Sequence, residues 1–343
     1  MRILVATDAW RPQVNGVVHT LERMSSAARE QGADIQFLTP QGFATLPLPT
    51  YPDIHVALAS TGEIARRIKA AAPDHIHIAT EGPIGWAARG YCRHRGRLFT
   101  TSYHTRFPEY ISARAAVPES WTYEALRRFH ARAAAVMAPT PSIRNELGRR
   151  GFERVKVWTR GVDHQLFRPR TSDVLDLPRP IFLSVGRVAV EKNLEALLSL
   201  DLPGSTVIVG DGPARDALQR RFPKAHFLGA RFGEALASIY ASADVFVFPS
   251  RTDTFGIVLV EAMASGLPVA AFPVTGPIDV VGDSGAGALS DDLRVACLAA
   301  LEIPRQRPRE HSLSFTWRES ARQFLGHIEQ CRAEAGLSLS RAG

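Results

Sequence analysis

Two acidic residues, Asp253 and Glu261, stand eight positions apart in the segment 250–269. The segment follows an apolar run typical of a buried strand and is itself apolar around Glu261, which predicts a loop and then a helix. Gly256 lets the backbone amides of Gly256 and Ile257 approach a ligand closely, and amides at a helix N-terminus favour anions and hydroxyl groups. A carboxylate in such a helix can accept hydrogen bonds from two vicinal ribose hydroxyls. The segment therefore predicts a nucleotide or sugar site rather than a solvated surface helix.

Two cations follow another predicted strand. Arg187 and Lys192 lie five residues apart across a turn, so both can converge on one anion. Two fixed cations can neutralise a diphosphate leaving group without a metal ion, and electrostatic stabilisation of this kind is usually the largest contribution to catalysis. The alternative is a pair of solvated charges in an ordinary strand–helix loop. We expect both side chains to act at a diphosphate.

Two loops nearer the N-terminus also carry polar residues after predicted strands. Asn15 and Gly16 fit a tight turn at the start of a helix, where backbone amides can meet a ligand. His104 follows the predicted strand 98–101 and stands among polar and aromatic residues. A doubly wound domain places its site at the carboxyl ends of its strands. These positions are compatible with a ligand site, although a lone histidine is more often structural.

These segments resemble the motifs of the retaining glycosyltransferases of family 4. Residues 253–269 are similar to that family's Glu-x7-Glu motif with its trailing Glu-Ala-Met-Ala-x-Gly-x-Pro-Val, although the first acid here is Asp253. Residues 186–193 are similar to its Gly-Arg…Lys-Gly element, with Asn193 where glycine is common. The resemblance covers nearly the whole chain. It is closest to the branch of α-mannosyltransferases and of sulfoquinovosyl- or glucosyl-diacylglycerol synthases.

The resemblance implies a GT-B fold, in which two Rossmann-like, doubly wound parallel-sheet domains face a central cleft. It also implies retention of anomeric configuration, with Glu261 on the ribose, Asp253 on the donor sugar and His104 near the reacting carbon. The catalytic residues expected from it are His104, Arg187, Lys192 and Asp253. The expected donor-binding residues are Asn15, Gly16, Arg187, Lys192, Asp253, Phe255, Gly256, Ile257 and Glu261.

Alternating strand and helix patterns agree with two α/β domains, because strands that alternate with helices form parallel sheets covered on both faces. We expect an acceptor-binding domain over residues 1–168, a proline-rich linker around 164–180 and a nucleotide-sugar-binding domain over 178–314. The last strand of the second sheet is expected at 269–272. A final helix, 317–335, comes after that sheet and is expected to pack back on the first domain.

Several other classes are excluded or disfavoured by the sequence. Cys92, Cys297 and Cys331 are far apart, so no paired metal or redox motif is present. The turn 210–212 starts like a dinucleotide fingerprint, but Arg215 stands where its third glycine would be, and no P-loop occurs. No Asp-x-Asp occurs either. We therefore expect no bound metal and no cofactor, and a nucleotide-sugar epimerase stays a minor alternative.

Positive charge is concentrated in the first half of the chain. Residues 1–170 hold 24 Lys and Arg against 14 Asp and Glu, whereas the rest holds 17 against 20. No zinc-finger, RNP-like or helix-turn-helix signature is visible, so we expect no nucleic-acid partner. Basic and apolar residues instead mix in two predicted helices, as in helices that lie on membrane surfaces. The residues expected at an acceptor or an anionic membrane are Arg89, Arg93, Trp121, Arg127 and Arg128. The alternative is that Trp121, Leu126 and Phe129 simply face the core.

The sequence thus predicts a retaining, metal-independent glycosyltransferase that moves a hexose or uronic acid from a UDP-sugar to a lipid such as diacylglycerol. The alternative is a GDP-mannose-dependent α-mannosyltransferase with a soluble, polysaccharide or phospholipid acceptor. A non-catalytic nucleotide-sugar-binding module is the alternative from another class. The N-terminus lacks the apolar core of a signal peptide, so we expect a cytoplasmic protein that can attach to the inner face of the cell membrane. The nucleotide base, the hexose and the oligomeric state stay open.

Overall fold

The computed structural model describes residues 1–13, 15–48, 51–112 and 117–341. The chain divides into two compact units. The first unit comprises Met1–Arg160 together with Trp317–Gly343, and the second comprises Gly161–Thr316. The division therefore falls after Arg160, ahead of residue 168, where the sequence pattern places the end of the first domain.

The first unit is built on a six-stranded parallel sheet of order β2-β1-β5-β6-β7-β8. Its strands are β1 (Arg2–Ala6), β2 (Asp34–Leu38), β5 (His75–Ile78), β6 (Phe99–Ser102), β7 (Val136–Ala138) and β8 (Val155–Val157). An antiparallel hairpin of β3 (Thr45–Leu48) and β4 (Tyr51–Ala57) lies outside this sheet. The helices of its N-terminal part are α1 (Gly16–Glu30), α2 (Thr61–Ala71), α3 (Pro83–His94), α4 (Phe107–Ser112), α5 (Glu119–His130) and α6 (Pro141–Arg149).

The second unit repeats the architecture with the sheet order β11-β10-β9-β12-β13-β14, again parallel throughout. Its strands are β9 (Ile181–Val185), β10 (Ser205–Val209), β11 (His226–Phe227), β12 (Val245–Phe248), β13 (Val269–Ala271) and β14 (Gly287–Leu289). Its helices are α7 (Leu194–Leu198), α8 (Arg215–Arg221), α9 (Gly233–Ser242), α10 (Ile257–Ala264), α11 (Pro277–Val280), α12 (Leu293–Leu301) and α13 (Gln306–Ser312).

The prediction that the second sheet ends at 269–272 is wrong, because β14 follows β13 and pairs with it. The strand is Gly-Ala-Leu, three residues without a β-branched or aromatic side chain, so nothing in its composition favours a strand. Backbone pairing with β13 determines its conformation. The glycine at its start has a physical reason, since a Cβ on Gly287 would lie 2.4 Å from the carbonyl oxygen of Val269.

The strand orders place a topological switch point in each sheet, between β1 and β5 in the first unit and between β9 and β12 in the second. At such a point the loops leaving two neighbouring strands diverge to opposite faces, and ligands bind outside the carboxyl ends of those strands. The central strands are buried; β9 and β12, for example, are buried almost throughout. The cores therefore fix where each loop begins.

The long helix α14 (Trp317–Arg341) belongs to the first unit. Its buried residues Ala321, Phe324 and Ile328 join a core with β1 and α1. The indole Nε1 of Trp158 donates to the backbone carbonyl and the hydroxyl of Ser320, each at 3.1 Å. The helix thus closes one face of the first sheet. Within the described residues, no helix has the length and apolar character needed to cross a membrane.

Candidate functional site

The loop after β9 is shaped by its neighbour after β10. The Val188 amide donates to the carbonyl of Asp211, and the Ala214 amide donates to the carbonyl of Val188. Gly210 and Gly212 both have positive φ, and a Cβ on Gly210 would lie 1.8 Å from the Gly186 oxygen. These glycines let two loops touch backbone to backbone, which holds the segment carrying Arg187. Their role here is close packing, and it explains the partial likeness to a dinucleotide fingerprint.

An ion pair joins the two loops at the switch point of the second sheet. Lys192 Nζ lies 2.6 Å from Asp253 Oδ1, and the two side chains are 24% and 16% exposed. Asn193 Nδ2 donates to the Pro249 carbonyl, and Thr252 Oγ1 donates to the Glu191 carbonyl. The loops after β9 and β12 are therefore tied to each other by side chains from both. Lys192 and Asp253, which the sequence singled out separately for the diphosphate and for the donor sugar, therefore meet at one point.

One carboxylate oxygen of Asp253 has an unused capacity to accept a hydrogen bond. Its Oδ2 atom is buried and has no hydrogen-bond partner among the described residues, whereas Oδ1 is held by Lys192. A buried acceptor without a donor costs roughly 1–3 kcal/mol, so native proteins rarely leave one unless a ligand or ion supplies the donor. Arg187 precedes this pair on the same loop and is partly exposed. The loops thus present cations and an acceptor together.

Glu261 sits in the second turn of α10 and is 8% exposed. The hydroxyl of Tyr240, from α9, donates to Glu261 Oε2 at 3.1 Å. Burial, with Glu261 nearby, raises the pKa of Tyr240 well above its ordinary value, so the phenol stays protonated and able to donate. Tyr240 therefore fixes one oxygen of Glu261. The sequence gives no local signal for this partner, because Tyr240 comes from a different helix.

The remaining predicted donor-binding positions of the second unit surround the start of α10. Gly256 is its N-cap with φ +80°, and a Cβ there would press on Leu259 and Phe248 at about 3 Å. Ile257 is partly buried at the first helical position. The Phe255 side chain is 4% exposed and packs on Phe315, with ring centroids 6.1 Å apart. Phe255 can therefore contact a ligand through its backbone, while its ring serves the core.

In the first unit, Asn15 is a helix cap. Its Oδ1 accepts from the amides of Val17 and Val18, both at 3.0 Å, which satisfies two otherwise unpaired donors of α1. Gly16 is exposed at the first position of that helix. The structure thus shows the Asn15 side chain engaged within the protein, so a ligand at this loop would meet Gly16 and the neighbouring backbone.

Sequence reasoning missed a carboxylate at the switch point of the first sheet. Asp8, directly after β1, accepts from the amides of Ile84 and Gly85 at the start of α3 and from the Thr80 hydroxyl. A Cβ on Gly82 would lie 2.4 Å from the Asp8 carboxyl carbon, so the glycine makes room for it. Burial raises the pKa of Asp8, against the lowering effect of these hydrogen bonds. Asp8 therefore caps the N-terminus of α3, although it is distant from that helix in the chain.

His104 lies beyond the end of β6 with both ring nitrogens engaged. Nδ1 is 3.2 Å from Nη2 of Arg160, and Nε2 is 2.9 Å from Ser102 Oγ. Burial lowers the pKa of His104 well below its ordinary value, and the positive charge of Arg160 adds to that effect. The guanidinium also lies over the Trp158 ring, 4.2 Å from its centroid. His104 is therefore a neutral, held side chain.

Behind His104 a line of buried polar groups continues through the sheet. Ser102 Oγ is 3.0 Å from His77 Nε2, His77 Nδ1 is 2.9 Å from Thr100 Oγ1, and Thr100 Oγ1 is 3.0 Å from His75 Nε2. Burial lowers the pKa of His75 to about 3 and also lowers that of His77 well below its ordinary value. The signal in the sequence is a period of two in adjacent strands, His75 and His77 on β5 and Thr100 and Ser102 on β6, which puts all four on one face.

The residues predicted for an acceptor or membrane surface separate into two groups. Arg89 is only 7% exposed and donates to the carbonyls of Phe129 and Arg128 at the end of α5. Its predicted place on that surface is wrong, because its guanidinium closes the C-terminus of a neighbouring helix. Trp121 is 73% exposed.

The charges around Trp121 are partly compensated. Arg127 and Arg128 both pair with Glu124, each at 2.8 Å. Arg93 on α3 is exposed. Leu126 and Phe129 are buried, as the core-facing alternative requires, whereas Trp121 is not. The surface defined by Trp121, Arg127 and Arg128, here called the α5 surface, therefore combines one large apolar side chain with moderate positive charge.

Comparison with known proteins agrees with this geometry. The family description Glycosyltransferase Family 4 matches residues 14–166, and Glycosyl transferases group 1 matches residues 179–302. The chain is 31% identical to a GDP-mannose-dependent alpha-mannosyltransferase of Mycobacterium tuberculosis, over 97% of each chain. It is 32% identical to the sulfoquinovosyl transferase SQD2 of Arabidopsis thaliana, over 72% of this chain and 52% of that protein.

A more distant relative and a solved structure extend the comparison. The chain is 25% identical to an alpha-monoglucosyldiacylglycerol synthase of Streptococcus pneumoniae, over 98% of this chain and 87% of the relative. The solved sucrose-phosphate synthase of Thermosynechococcus elongatus superposes with a TM-score of 0.79 at 20% identity, over 97% and 99% of the two chains. That likeness shows the GT-B fold. The chain belongs to glycosyltransferase family 4, and it is a glycosyltransferase that uses a nucleotide-sugar donor.

Proposed function

We propose that this enzyme transfers a hexose from a nucleoside diphosphate sugar with retention of configuration and without a metal ion. The buried, unsatisfied Oδ2 of Asp253 beside Lys192 carries the proposal. A sugar hydroxyl supplies the donor that Oδ2 lacks, while Lys192 and Arg187 face the diphosphate. Glu261, held by Tyr240, accepts from the ribose hydroxyls. These assignments give a role to the unsatisfied Asp253 oxygen, to the two cations and to the buried Glu261.

The transfer step follows from these charges. The acceptor hydroxyl oxygen forms a bond to C1 of the hexose as the bond from C1 to the β-phosphate oxygen breaks. The hydroxyl proton passes to the departing diphosphate, so the products are a glycoside and a nucleoside diphosphate. Negative charge grows on the leaving oxygen, where Arg187 and Lys192 stabilise it more in the transition state than in the ground state. No protein carboxylate is required as a base.

GDP-mannose is the first donor that we propose, with a UDP-sugar as the second. Support for GDP-mannose comes from the mycobacterial relative, which matches over 97% of both chains and carries that donor in its name. Thermal-shift measurements with GDP, UDP, GDP-mannose and UDP-glucose separate the two. A ligand at 100 times its Kd stabilises the folded protein by about 2.7 kcal/mol.

The donor experiment has a built-in control. Stabilisation by GDP compounds, reduced in Glu261→Ala but retained in Glu310→Ala on α13, supports a ribose site at Glu261. Equal stabilisation of wild type and Glu261→Ala, or none by either nucleotide, would reject the donor site. Transfer that EDTA abolishes and Mn²⁺ or Mg²⁺ restores would reject the metal-free mechanism.

For the acceptor we propose a lipid presented at an anionic membrane. Support comes from the exposed Trp121 on the α5 surface and from the relative named alpha-monoglucosyldiacylglycerol synthase. Aromatic side chains favour the membrane interface, and each basic residue near an anionic leaflet contributes about 1 kcal/mol. Arg127 and Arg128 share Glu124, so we expect reversible rather than tight attachment.

Vesicle co-sedimentation tests this acceptor proposal. We expect binding to phosphatidylglycerol vesicles but not to phosphatidylcholine vesicles, and weakening between about 50 and 500 mM salt as charges are screened. Trp121→Ala and the double change of Arg127 and Arg128 to Glu should each reduce binding. Matched controls on the second unit are Phe232→Ala, an exposed aromatic, and the double change of Arg220 and Arg221 to Glu. Indifference to anionic vesicles, with transfer to water-soluble acceptors alone, would reject the lipid acceptor.

A further inference from the structure

We propose that Arg160 is a positioning residue that holds His104 in the neutral form with its proton on Nε2. We further infer that the buried hydroxyls and histidines behind His104 preserve this arrangement. The inference rests on the proposed function only in its last step, which adds the sequence-based expectation that His104 lies near the reacting carbon. The arrangement of protons follows from the geometry of the first unit alone.

The first step is the chemistry of Arg160. A guanidinium has five N–H donors and no acceptor, so it can only donate to the ring nitrogen 3.2 Å away. His104 Nδ1 must therefore carry no proton, and in a neutral ring the proton is on Nε2. Arg160 is held for this task, because Nη1 donates to the Trp158 carbonyl at 2.6 Å and the side chain is 3% exposed.

The second step follows the hydrogen bonds inward. His104 Nε2–H donates to Ser102 Oγ, and we infer that the serine hydroxyl in turn donates to His77 Nε2, so that Ser102 both accepts and donates. His77 then carries its proton on Nδ1 and donates to Thr100 Oγ1, and the threonine hydroxyl donates to His75 Nε2. One direction of donation satisfies the whole line. The opposite direction would require Arg160 to accept, which it cannot do.

The inner end of the line agrees with this direction. His75 must then carry its proton on Nδ1, and that atom is buried without a hydrogen-bond partner among the described residues. In this order the N–H left over at the end of the line falls on that atom. The five hydrogen bonds from Arg160 to His75 are all made, and α14 covers this face, with the Phe324 ring 4.9 Å from that of His77.

The third step is the consequence for charge. Protonation of His104 would place a second cation against Arg160 and beside His77, which is itself buried and neutral. A neutral ring suits the proposed reaction, because positive charge develops on C1 during glycosyl transfer and a nearby imidazolium would oppose it. Both ring nitrogens are also occupied, so His104 cannot exchange a proton without breaking a bond to the protein. His104 therefore contributes by its fixed position and neutral charge, and not by proton transfer.

Nitrogen NMR of the histidine-labelled full chain tests the proton order directly. We expect His104 as the Nε2–H tautomer, and His77 and His75 as Nδ1–H tautomers, with no protonation of the three between about pH 5.5 and 8, since burial holds each of them neutral. Arg160→Met should release His104 to titrate, whereas Arg160→Lys should restrain it because a donor and a charge remain. Thr100→Val, which cuts the line far from Arg160, should leave His104 unchanged. A wild-type His104 that is Nδ1–H or cationic would overturn the inference.

Steady-state kinetics test the consequence for transfer. Arg160→Met should lower kcat by up to about 100-fold, the cost of a misplaced group near the chemistry, with little change in donor KM and a new loss of activity on the acidic side. Arg160→Lys should recover most of kcat. If His104 becomes free in the Met variant while kcat holds, the proton order stands but the assignment of His104 to the transfer step fails. If neither the tautomer nor kcat responds, Arg160 is not a positioning residue.

Discussion

The loops at the two switch points are organised by different kinds of polar interaction. In the second unit an ion pair between Lys192 and Asp253 links the loops after β9 and β12, and both side chains keep some exposure. In the first unit the polar line behind His104 consists of imidazoles and hydroxyls that are almost completely buried, with Arg160 as its charged end. The two regions share a fold and differ in where they keep charge.

The difference follows from the energy of burying charge. A charge removed from water costs several kcal/mol unless it is paired, whereas a neutral group needs only its hydrogen bonds. Lys192 and Arg187 therefore stay near solvent, where a diphosphate can take over their interactions. Neutral histidines can be buried deeply, where packing fixes their orientation. The second unit thus keeps its cations accessible, as the proposed diphosphate site requires, and the first unit holds a neutral side chain in place.

The largest expected effect comes from removing a cation of the second unit. Arg187→Ala or Lys192→Ala should lower kcat by about 10²–10³-fold, the scale of losing one preorganised transition-state donor. Lys192→Ala also leaves Asp253 without its partner. Initial rates at saturating donor, with and without EDTA, provide the measurement. Arg220→Ala on α8 is the control, and a kcat unchanged in both variants would contradict the diphosphate role.

Removing His104 should give the next largest effect. It should lower kcat and leave nucleotide affinity almost unchanged. His104→Ala should lower kcat by up to about 100-fold, because we place the group near the reacting carbon rather than on the nucleotide. Nucleotide affinity, measured by isothermal titration with GDP or UDP, should hardly change. A collapse of that affinity with kcat preserved would mean that His104 binds phosphate or supports the fold instead.

Substitution of Glu261 should impair use of the donor more than substitution of its partner Tyr240. Glu261→Ala loses charge-assisted hydrogen bonds worth about 1.5–3 kcal/mol, so kcat/KM for the donor should fall tenfold or more. Tyr240→Phe removes the hydroxyl that fixes one oxygen of Glu261 and should have a smaller effect, mainly on donor KM. Kinetics with an intact fold provide the comparison. Near-wild-type values for Glu261→Ala would reject the ribose role.

The smallest effect concerns stability and separates the two units by pH. The pKa of His75 is about 3 in the folded chain and about 6.5 when unfolded. The unfolded state therefore binds more protons below pH 6.5, and folding stability falls as pH is lowered, by about 1.4 kcal/mol per pH unit for each such histidine. His77 adds to this in the same direction.

Native-state hydrogen exchange, read peptide by peptide, can measure this effect in the intact chain. We expect β5 and β6 to lose protection between about pH 7 and 5.5, more than β9 and β12 do. His75→Leu should reduce the loss of protection by the contribution of one histidine, about 1.4 kcal/mol per pH unit. The substitution also removes the unsatisfied Nδ1. Equal acid sensitivity of both sheets, unchanged by that substitution, would contradict the prediction.

Residue types and spacing were enough to predict the class of fold and to single out Lys192 and Asp253, which the structure brings together. Apolar runs that alternate with helical periodicity predicted two parallel sheets. Gly256, Asp253 and Glu261 lie in one continuous segment, so their spacing can be recognised without the structure. The sequence missed β14, which has no strand-forming residue, and placed Arg89 on a surface. Both errors concern residues whose state depends on a partner distant in the chain.

What the sequence determined by itself was local: the order of strands and helices, the turn residues, and the loops that follow β1, β6, β9 and β12. The tertiary structure decided which side chains meet across elements. Lys192 meets Asp253, Tyr240 meets Glu261, and Arg160 meets His104, although 56 residues separate the last two. Hydrogen-bond direction and pKa depend on those meetings, because burial and neighbouring charge act through space and not along the chain.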